Sequence, residues 1–419
     1  MTCLDVLTRL GIADAYEWLS PCWKDSPETV MPSLEPANFR VAREFSGLPE
    51  SLDAPLQDVA SQIIGSDDLR RLFRHCQGLI YDDLGFNVVD SRNWPQQVEI
   101  LGEETSLFYL LVALGAIPRM QAIHQQMGIP EQVTRDTCTH FPAALERYRL
   151  RTGKLGVGPE ALYWLRNHTT GSLFCLGRLE FMLKPFRGPL TAWRHRSSLR
   201  VIALATEGND YDAEGLVAGE QITSDGWTSA FSESSDKVSG SPISPTGYAQ
   251  RKGVDLPLDE WERVLSYGDL IYEVHIPEGG GMTRAAVKDS MQQATEFFPR
   301  HFPQQQAVAF ACSSWILNPE LEHVYHAESN MVRWQRELYL YPTWSGTRAG
   351  LHFIFGSGDF DLQTAPRDTS LRRALLDHVA ADGRLIGGGM FLLLEDFEHY
   401  GEQVYRAKWP HTLDTLASA

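Results

Sequence analysis

A strand, a glycine turn and a helix follow one another between Asp269 and Pro303. In the strand, apolar residues alternate with Glu273 and His275, so the carboxylate and the imidazole share one face. Three glycines, 279–281, come next, and Thr283 stands at the N-cap position of a helix. The apolar stripe of that helix consists of Val287, Met291, Ala294 and Phe298. This segment predicts a strand–turn–helix unit.

The glycine turn is a candidate anion site. A turn that opens a helix presents backbone N–H groups at the positive end of the helix dipole, where phosphate binds well. We therefore expect a pyrophosphate-containing cofactor to contact Gly279, Gly280, Gly281, Met282, Thr283 and Arg284. The alternative is a tight turn without a ligand. Glu278 lies inside the turn and repels phosphate unless Arg284 or Lys288 compensates.

A second strand is predicted over residues 307–316, where every other side chain is small. The small residues are Ala307, Ala309, Ala311 and Ser313. Such a face lets an extended ligand lie close to the backbone, although close packing of a helix on the sheet explains it equally well. Helices are predicted after Asn318-Pro319 and from Ser329-Asn330.

The remainder of the chain divides into a helical part and a strand-rich part. Leu107, Leu110, Leu111 and Leu114 have helical spacing, and a further helix is predicted over 130–149. Short apolar runs bounded by Gly and Pro predict strands from about Leu173 onward. We expect an α+β chain, with a helical domain over 1–152 and a mixed α/β domain with a twisted central sheet over 153–419. Residues 223–253, rich in Ser, Gly and Pro, predict a surface loop.

Composition narrows the range of partners. The net charge of −17 disfavours broad binding to a phosphate backbone, so no nucleic-acid partner is expected. No uninterrupted apolar stretch approaches the length of a membrane span, and no membrane partner is expected. The six cysteines lack C-x-x-C and zinc spacing, which predicts a reducing, cytoplasmic location and no metal.

Several longer segments resemble a known family. They include GIPEQVTRDT (128–137), TGKLGVGPEALYWLRNHTTGSLFCLGRLEF (152–181), LPLDEWERVLSYGDLIYEVHIPEGG (256–280), CSSWILNPELEHVYHAESNMVRWQ (312–335) and APRDTSLRRALLDHVAADGRLIGGG (365–389). In these segments the chain resembles bacterial acyltransferase-domain proteins, which join a helical N-acyltransferase N-terminal domain to a GNAT-like C-terminal domain. Its turn departs from the usual GNAT pattern Q/R-x-x-G-x-G/A, since no Gln or Arg opens it.

The resemblance implies an acyl-CoA-dependent acyltransferase. The acyl group, expected to be acetyl, would move from acetyl-CoA or another acyl-CoA to an amine of a small-molecule or peptide acceptor. Direct attack on the thioester needs a general base, and imidazoles titrate near neutral pH. We assign that role to His275, held by Glu273, and assign Ser313 to protonation of the leaving thiolate, with Ser314 and Tyr325 as alternatives. A backbone N–H of the strand before the turn would stabilise the oxyanion.

Two further residues and one rival function complete the expectations. Ser314, on the second predicted strand, and Asn330, at the start of the later helix, are candidate cofactor contacts, because a helix start near that strand could contact the cofactor. The alternative for His275 is a strand histidine that is hydrogen-bonded to a neighbour. G-x-S-x-G, H-E-x-x-H, P-loop and G-x-G-x-x-G patterns are missing from the sequence. The rival function is a non-catalytic GNAT-like ligand-binding or scaffold protein.

Overall fold

The computed structural model describes residues 1–24, 31–82, 91–217, 225–344, 350, 354–355, 361 and 363–410. The chain forms two compact units, Met1–Cys175 and Leu176–Ala419. This division lies beyond the predicted boundary between residues 152 and 153. The segment after residue 152 stays with the first unit because Val157, Leu162 and Leu165 are buried in the core of that unit.

The first unit is helical, as predicted. Its helices are α1 Cys3–Arg9, α2 Tyr16–Leu19, α3 Pro36–Phe45, α4 Asp53–Gly65, α5 Asp67–Gln77, α6 Thr105–Leu114, α7 Ile117–Gln126, α8 Glu131–Thr137, α9 His140–Thr152 and α10 Pro159–Thr169. The single helix predicted over 130–149 is two helices, α8 and α9, because the chain turns at Cys138 and Thr139 between them.

Helix α6 forms the centre of the first unit. All of its residues are buried, so the helix is covered on every side and not on one face alone. The helical stretch Gly102–Gln126 is long and apolar enough to cross a membrane, which differs from the expectation from sequence. Within the described residues, 67% of its most apolar window is buried, as in the core helix of a folded domain.

The second unit contains most of the strands. The strands are β1 Leu173–Leu176, at which the division falls, β2 Leu179–Pro185, β3 Leu190–His195, β4 Val201–Ala205, β5 Asp210–Tyr211, β6 Trp227–Thr228, β7 Phe231–Glu233, β8 Lys237–Gly240, β9 Pro242–Ile243, β10 Val254–Pro257, β11 Trp261–Leu265, β12 Leu270–His275, β13 Ala309–Ser314, β14 Tyr339–Pro342 and β15 Gly388–Leu393. The helices are α11 Arg284–His301, α12 Leu321–Val324, α13 Asn330–Glu337, α14 Ser370–Ala380 and α15 Val404–Ala407.

A mixed central sheet organises the second unit. Within this unit its strands lie in the order β2-β12-β13-β15-β14, and β12 and β13 are parallel while their outer neighbours are antiparallel to them. Helix α11 connects β12 to β13 and packs on one face of the sheet, where Phe298 stacks on Tyr272 with ring centroids 4.6 Å apart. The predicted order of strand, turn, helix and strand is confirmed.

Smaller sheets occupy the chain between β2 and β12. One has the order β11-β3-β4-β9 and another the order β10-β8-β7. Their shared apolar core consists of Trp193, Ile202, Leu204, Val238, Val254, Leu256 and Trp261.

The prediction of a surface loop over 223–253 is wrong where the structure describes this segment. It contains β6 to β9, and Val238 and Ile243 are fully buried. These strands have two to four residues each, which is too few for a sustained alternation of apolar and polar side chains. Gly240 illustrates why small residues suit this segment, since a Cβ there would lie 3.3 Å from the carbonyl oxygen of Ala230, which is a tight contact. Residues 223 and 224 lie outside the described part of the chain.

Candidate active site

Strands β12 and β13 part at their carboxyl ends. They pair in parallel only from Ile271 with Ala309 to Glu273 with Ala311. On its outer side β12 continues to pair with β2 as far as His275, and on its outer side β13 continues to pair with β15 as far as Ser314. The ends of the two inner strands therefore stay in the sheet while the ladder between them stops. A gap of this kind exposes backbone N–H and C=O groups to a ligand.

The parted strands combine small and polar side chains on one face. Glu273 is in register with Ala311, so the face of Glu273 and His275 is also the face of Ala309 and Ser313. Helix α11 packs on the opposite face, against Tyr272. The predicted row of small residues therefore lies on the same face of the sheet as Glu273, beside it. Because α11 packs on the other face, its packing does not explain why these residues are small.

Glu273 and His275 form a hydrogen-bonded pair. His275 Nε2 lies 3.0 Å from Glu273 Oε2. Lys184 Nζ lies 3.0 Å from the same oxygen. Burial alone would raise the pKa of Glu273, but the hydrogen bond and charge of His275 together with the Lys184 ammonium lower it to about 2. The carboxylate is therefore ionised at every physiological pH and holds the imidazole in place.

Lys184 was not predicted as a site residue. It lies on β2 in register with Ile271 of β12. Lys184 and Glu273 are therefore diagonal neighbours on the same face of the sheet. Its side chain is 44% exposed, and those of Glu273 and His275 are 32% and 23% exposed. Alternation along β2 predicts that Lys184 shares a face with Met182. Only the register between β2 and β12 shows that its partner is Glu273.

Ser313 and Tyr341 lie at the other side of the gap. Ser313 is exposed, and a side-chain hydrogen bond links it to Tyr341. Burial of Tyr341 raises its pKa, and the bond to Ser313 acts in the opposite direction. The Tyr341 ring lies over Gly389, where a Cβ would be 2.2 Å from the ring. The phenol therefore stays protonated and orients the Ser313 hydroxyl.

The glycine turn has the backbone that its sequence predicts. Gly279 and Gly280 have φ of +76° and +60°, values that side chains disfavour. Arg178, in the turn before β2, donates from Nη2 to the carbonyl oxygen of Pro277 at 3.0 Å and from Nε to that of Gly281 at 3.2 Å. Arg178 thus stabilises the turn through hydrogen bonds to two of its carbonyl groups.

The residues after the turn differ in their accessibility. Thr283 caps α11, and its Oγ accepts a hydrogen bond from the N–H of Ala286 at 3.3 Å, as predicted. Met282 is only 7% exposed, so its side chain belongs to the core and only its backbone can face a cofactor. Arg284 lies against the backbone of Gly401, so its side chain is directed to the C-terminal segment. The part that Arg284 was expected to play in compensating Glu278 has no support in this arrangement.

The other predicted residues are more dispersed. Ser314 ends β13 and is half-buried, on the face opposite Ser313. Asn330 is exposed at the first turn of α13, which Ser329 caps as predicted. Tyr325 follows α12 and packs with the apolar cluster around Leu321, and burial raises its pKa. The geometry brings together His275, Glu273 and the small face with Ser313, and it adds Lys184 and Tyr341.

Family models match both parts of the chain. Residues 40–171 match the N-acyltransferase N-terminal domain, and residues 173–391 match the GNAT-like C-terminal domain. The chain belongs to this N-acyltransferase family. Family membership confirms the predicted resemblance, the α+β class and the enzyme class, which is acyltransferase. A comparison with curated proteins finds no match.

Solved structures share the fold of this N-acyltransferase. An acyltransferase in complex with decanoyl-CoA and teicoplanin is 20% identical, with a TM-score of 0.64 over 94% of this chain and 100% of the other. A mutant acyltransferase in complex with octanoyl-CoA is also 20% identical, with a TM-score of 0.61 over the same shares. An acyltransferase in complex with CoA and 10C-teicoplanin has a TM-score of 0.52, 20% identity and shares of 85% and 99%.

Proposed function

We propose that this N-acyltransferase transfers an acyl group from acyl-CoA to an amine, at the carboxyl ends of β12 and β13. The parting of these strands carries the proposal, because the ladder stops after Glu273 and Ala311 while both outer ladders continue. The pantetheine arm of a CoA ester is long and contains amides, so it can pair with strand edges in such a gap. The glycine turn and the start of α11 follow β12 directly and suit the pyrophosphate.

In this proposal the acceptor amine attacks the thioester carbon directly. His275 removes the proton from the amine, and Glu273 orients the imidazole and stabilises the imidazolium that forms. A backbone N–H at the end of β12 donates to the oxyanion. Ser313, oriented by Tyr341, passes a proton from water to the leaving sulfur, so CoA leaves as the thiol and the serine hydroxyl is restored. Every residue of this set lies on the face opposite α11.

The structural neighbours widen the range of acyl donors that we expect. Acetyl was the acyl group expected from sequence, and the structural neighbours hold decanoyl-CoA and octanoyl-CoA. One of these neighbours is also in complex with teicoplanin. We therefore extend the expected range of donors to medium-chain acyl-CoA, and the expected acceptor class remains a small-molecule or peptide amine.

The non-catalytic alternative predicts a different state for the same face. In a scaffold, Glu273 and His275 would be packed against neighbouring side chains. Both side chains keep solvent-accessible surface instead, 32% for Glu273 and 23% for His275. This accessibility favours the enzyme.

Calorimetric titration tests the proposal. The protein is titrated with free CoA, acetyl-CoA, octanoyl-CoA and decanoyl-CoA, and then the Gly280→Asp variant is titrated in the same way. A carboxylate in the turn repels the pyrophosphate, so we expect the affinity of the variant to fall by about tenfold or more. If neither CoA nor any of these esters binds the unaltered protein, the proposed function is wrong.

Gly268→Asp is the matched control. Gly268 also has a positive φ, +93°, and a Cβ there meets nothing within 4 Å. It lies in the turn before β12, at the end of this strand opposite to the glycine turn. Both variants therefore add the same charge to a strained exposed turn, and only Gly280→Asp should weaken binding. Equal losses would assign the effect to general destabilisation.

A further inference from the structure

The candidate site already contains an amine. Lys184 Nζ lies 3.0 Å from Glu273 Oε2, and His275 Nε2 lies 3.0 Å from that same oxygen. The amine and the imidazole are thus separated by a single carboxylate oxygen. With 44% of its side chain exposed, Lys184 is able to move toward the gap between the strands.

This arrangement matches what an external acceptor needs. An acceptor amine arrives as an ammonium ion, which a carboxylate attracts, and it must lose a proton before it attacks. Lys184 meets the first requirement, because Glu273 holds its charge. For the second, His275 donates from Nε2–H to the same oxygen, so its Nδ1 is the nitrogen that takes the proton. The position of Nζ therefore marks where the nitrogen of an acceptor would bind.

We propose that Lys184 is a site of self-acylation, to which the enzyme transfers the acyl group of its own acyl-CoA when no external acceptor is present. This inference rests on the proposed function. In the step, the Lys184 ammonium first gives one proton to His275. Nζ then attacks the thioester carbon, a C–N bond forms and the C–S bond breaks. The second proton goes to the sulfur, so CoA leaves as the thiol, and His275 returns its proton to water.

The product is a stable amide and not an intermediate. Acylation removes the positive charge of Lys184, so the ion pair with Glu273 is lost and the acyl chain occupies the place of the acceptor. We therefore expect the modified enzyme to transfer acyl groups to an external amine more slowly than the unmodified enzyme.

Mass spectrometry of the full chain tests this. The purified protein is incubated with octanoyl-CoA and no acceptor, and the acylated residues are mapped by peptide analysis over a time course. Lys237 is the internal control, because it is 45% exposed and its Nζ lies 2.7 Å from Asp255, far along the chain in the sheet β10-β8-β7. We expect Lys184 to be acylated at least about tenfold faster than Lys237, since Lys184 lies beside the proposed thioester site and Lys237 does not.

Three variants make the result specific. Lys184→Arg keeps the charge but has no acylatable amine, so the label at this position must vanish. His275→Gln and Gly280→Asp should reduce the label at Lys184 to the level of Lys237. Equal rates for Lys184 and Lys237 in the unaltered protein would show non-enzymatic acylation and overturn the inference.

Calorimetry on the same samples separates the two proposals. If octanoyl-CoA binds and Lys184 stays unmodified, self-acylation is wrong and the proposed function stands. If octanoyl-CoA does not bind and other acyl-CoA esters also fail, the proposed function is wrong, and self-acylation is contradicted with it.

Discussion

The Arg178 guanidinium bridges the glycine turn by donating to the carbonyl oxygen of Pro277 on one side and that of Gly281 on the other, at 3.0 and 3.2 Å. A turn with two consecutive positive φ angles is costly to keep ordered, and a charged donor on its carbonyl groups offsets part of that cost. Arg178 therefore acts as a positioning residue for the turn.

Arg178→Ala should weaken binding of CoA. Hydrogen bonds to a charged group contribute about 1.5–3 kcal/mol each, so a loss of roughly tenfold or more in affinity is expected when the turn is released. Arg178→Lys should retain part of the affinity, since an ammonium donates to one carbonyl but does not span both. Calorimetry with CoA and with pantetheine, which lacks the pyrophosphate, is the measurement. Equal losses for the two ligands would contradict a role in phosphate binding.

Gly389→Ala should destabilise the second unit. The added Cβ would lie 2.2 Å from the buried Tyr341 ring, so the ring must shift, at a cost of about 1–3 kcal/mol in the free energy of unfolding. Urea unfolding of the full chain measures this. Gly65→Ala is the control, because a Cβ at Gly65 meets nothing within 4 Å. A loss no larger in Gly389→Ala than in Gly65→Ala would contradict the contact.

Local patterns in the sequence were sufficient to predict the parts of the site that lie within one segment. Thr283 and Ser329 are the N-caps that their spacing predicts, and Glu273 and His275 share a face because side chains alternate along any strand. Lys184 and Tyr341 could not be found in this way. Their partners lie on other strands, and the register of those strands is fixed by packing of the whole sheet.

The same dependence on distant partners explains why the prediction of a loop over 223–253 was incorrect. Strands of two to four residues do not contain enough alternation to predict their pairing, and β8 is recognised only through its neighbours β7 and β10. The direction of the Arg284 side chain could not be predicted for a related reason, since its contact with Gly401 joins residues far apart in the sequence. Periodicity therefore predicts a helix or strand, but not the other elements against which it packs or pairs.

Glu273→Gln should slow acyl transfer throughout the neutral pH range, where Glu273 is ionised. The pKa of Glu273 is lowered to about 2, so its charge is present above the ordinary range of a carboxyl group and is lost only as pH falls toward 2. We expect a loss of about 10²-fold in kcat, as for other residues that support a general base, with acyl-CoA affinity retained. Rates of the two proteins are compared from pH 5 to 9. A variant that is as fast as the unaltered protein at every pH of this range would contradict a role for Glu273.

Burial of His75 should make the stability of the first unit depend on pH. The imidazole is 7% exposed, its Nε2 lies 2.5 Å from the carbonyl oxygen of Leu19, and burial lowers its pKa from 6.5 to about 4. The folded state binds a proton at His75 less readily than the unfolded state does. The contribution of neutral His75 to the free energy of unfolding is therefore complete above pH 6.5 and is lost as pH falls toward 4. By linkage the loss is on the order of 3 kcal/mol. Trp23, whose ring lies 4.6 Å from that of His75, provides a nearby fluorescent probe. Urea unfolding at pH 7 and pH 5 should show a smaller pH dependence in His75→Gln, and an unchanged dependence would exclude His75 as its source.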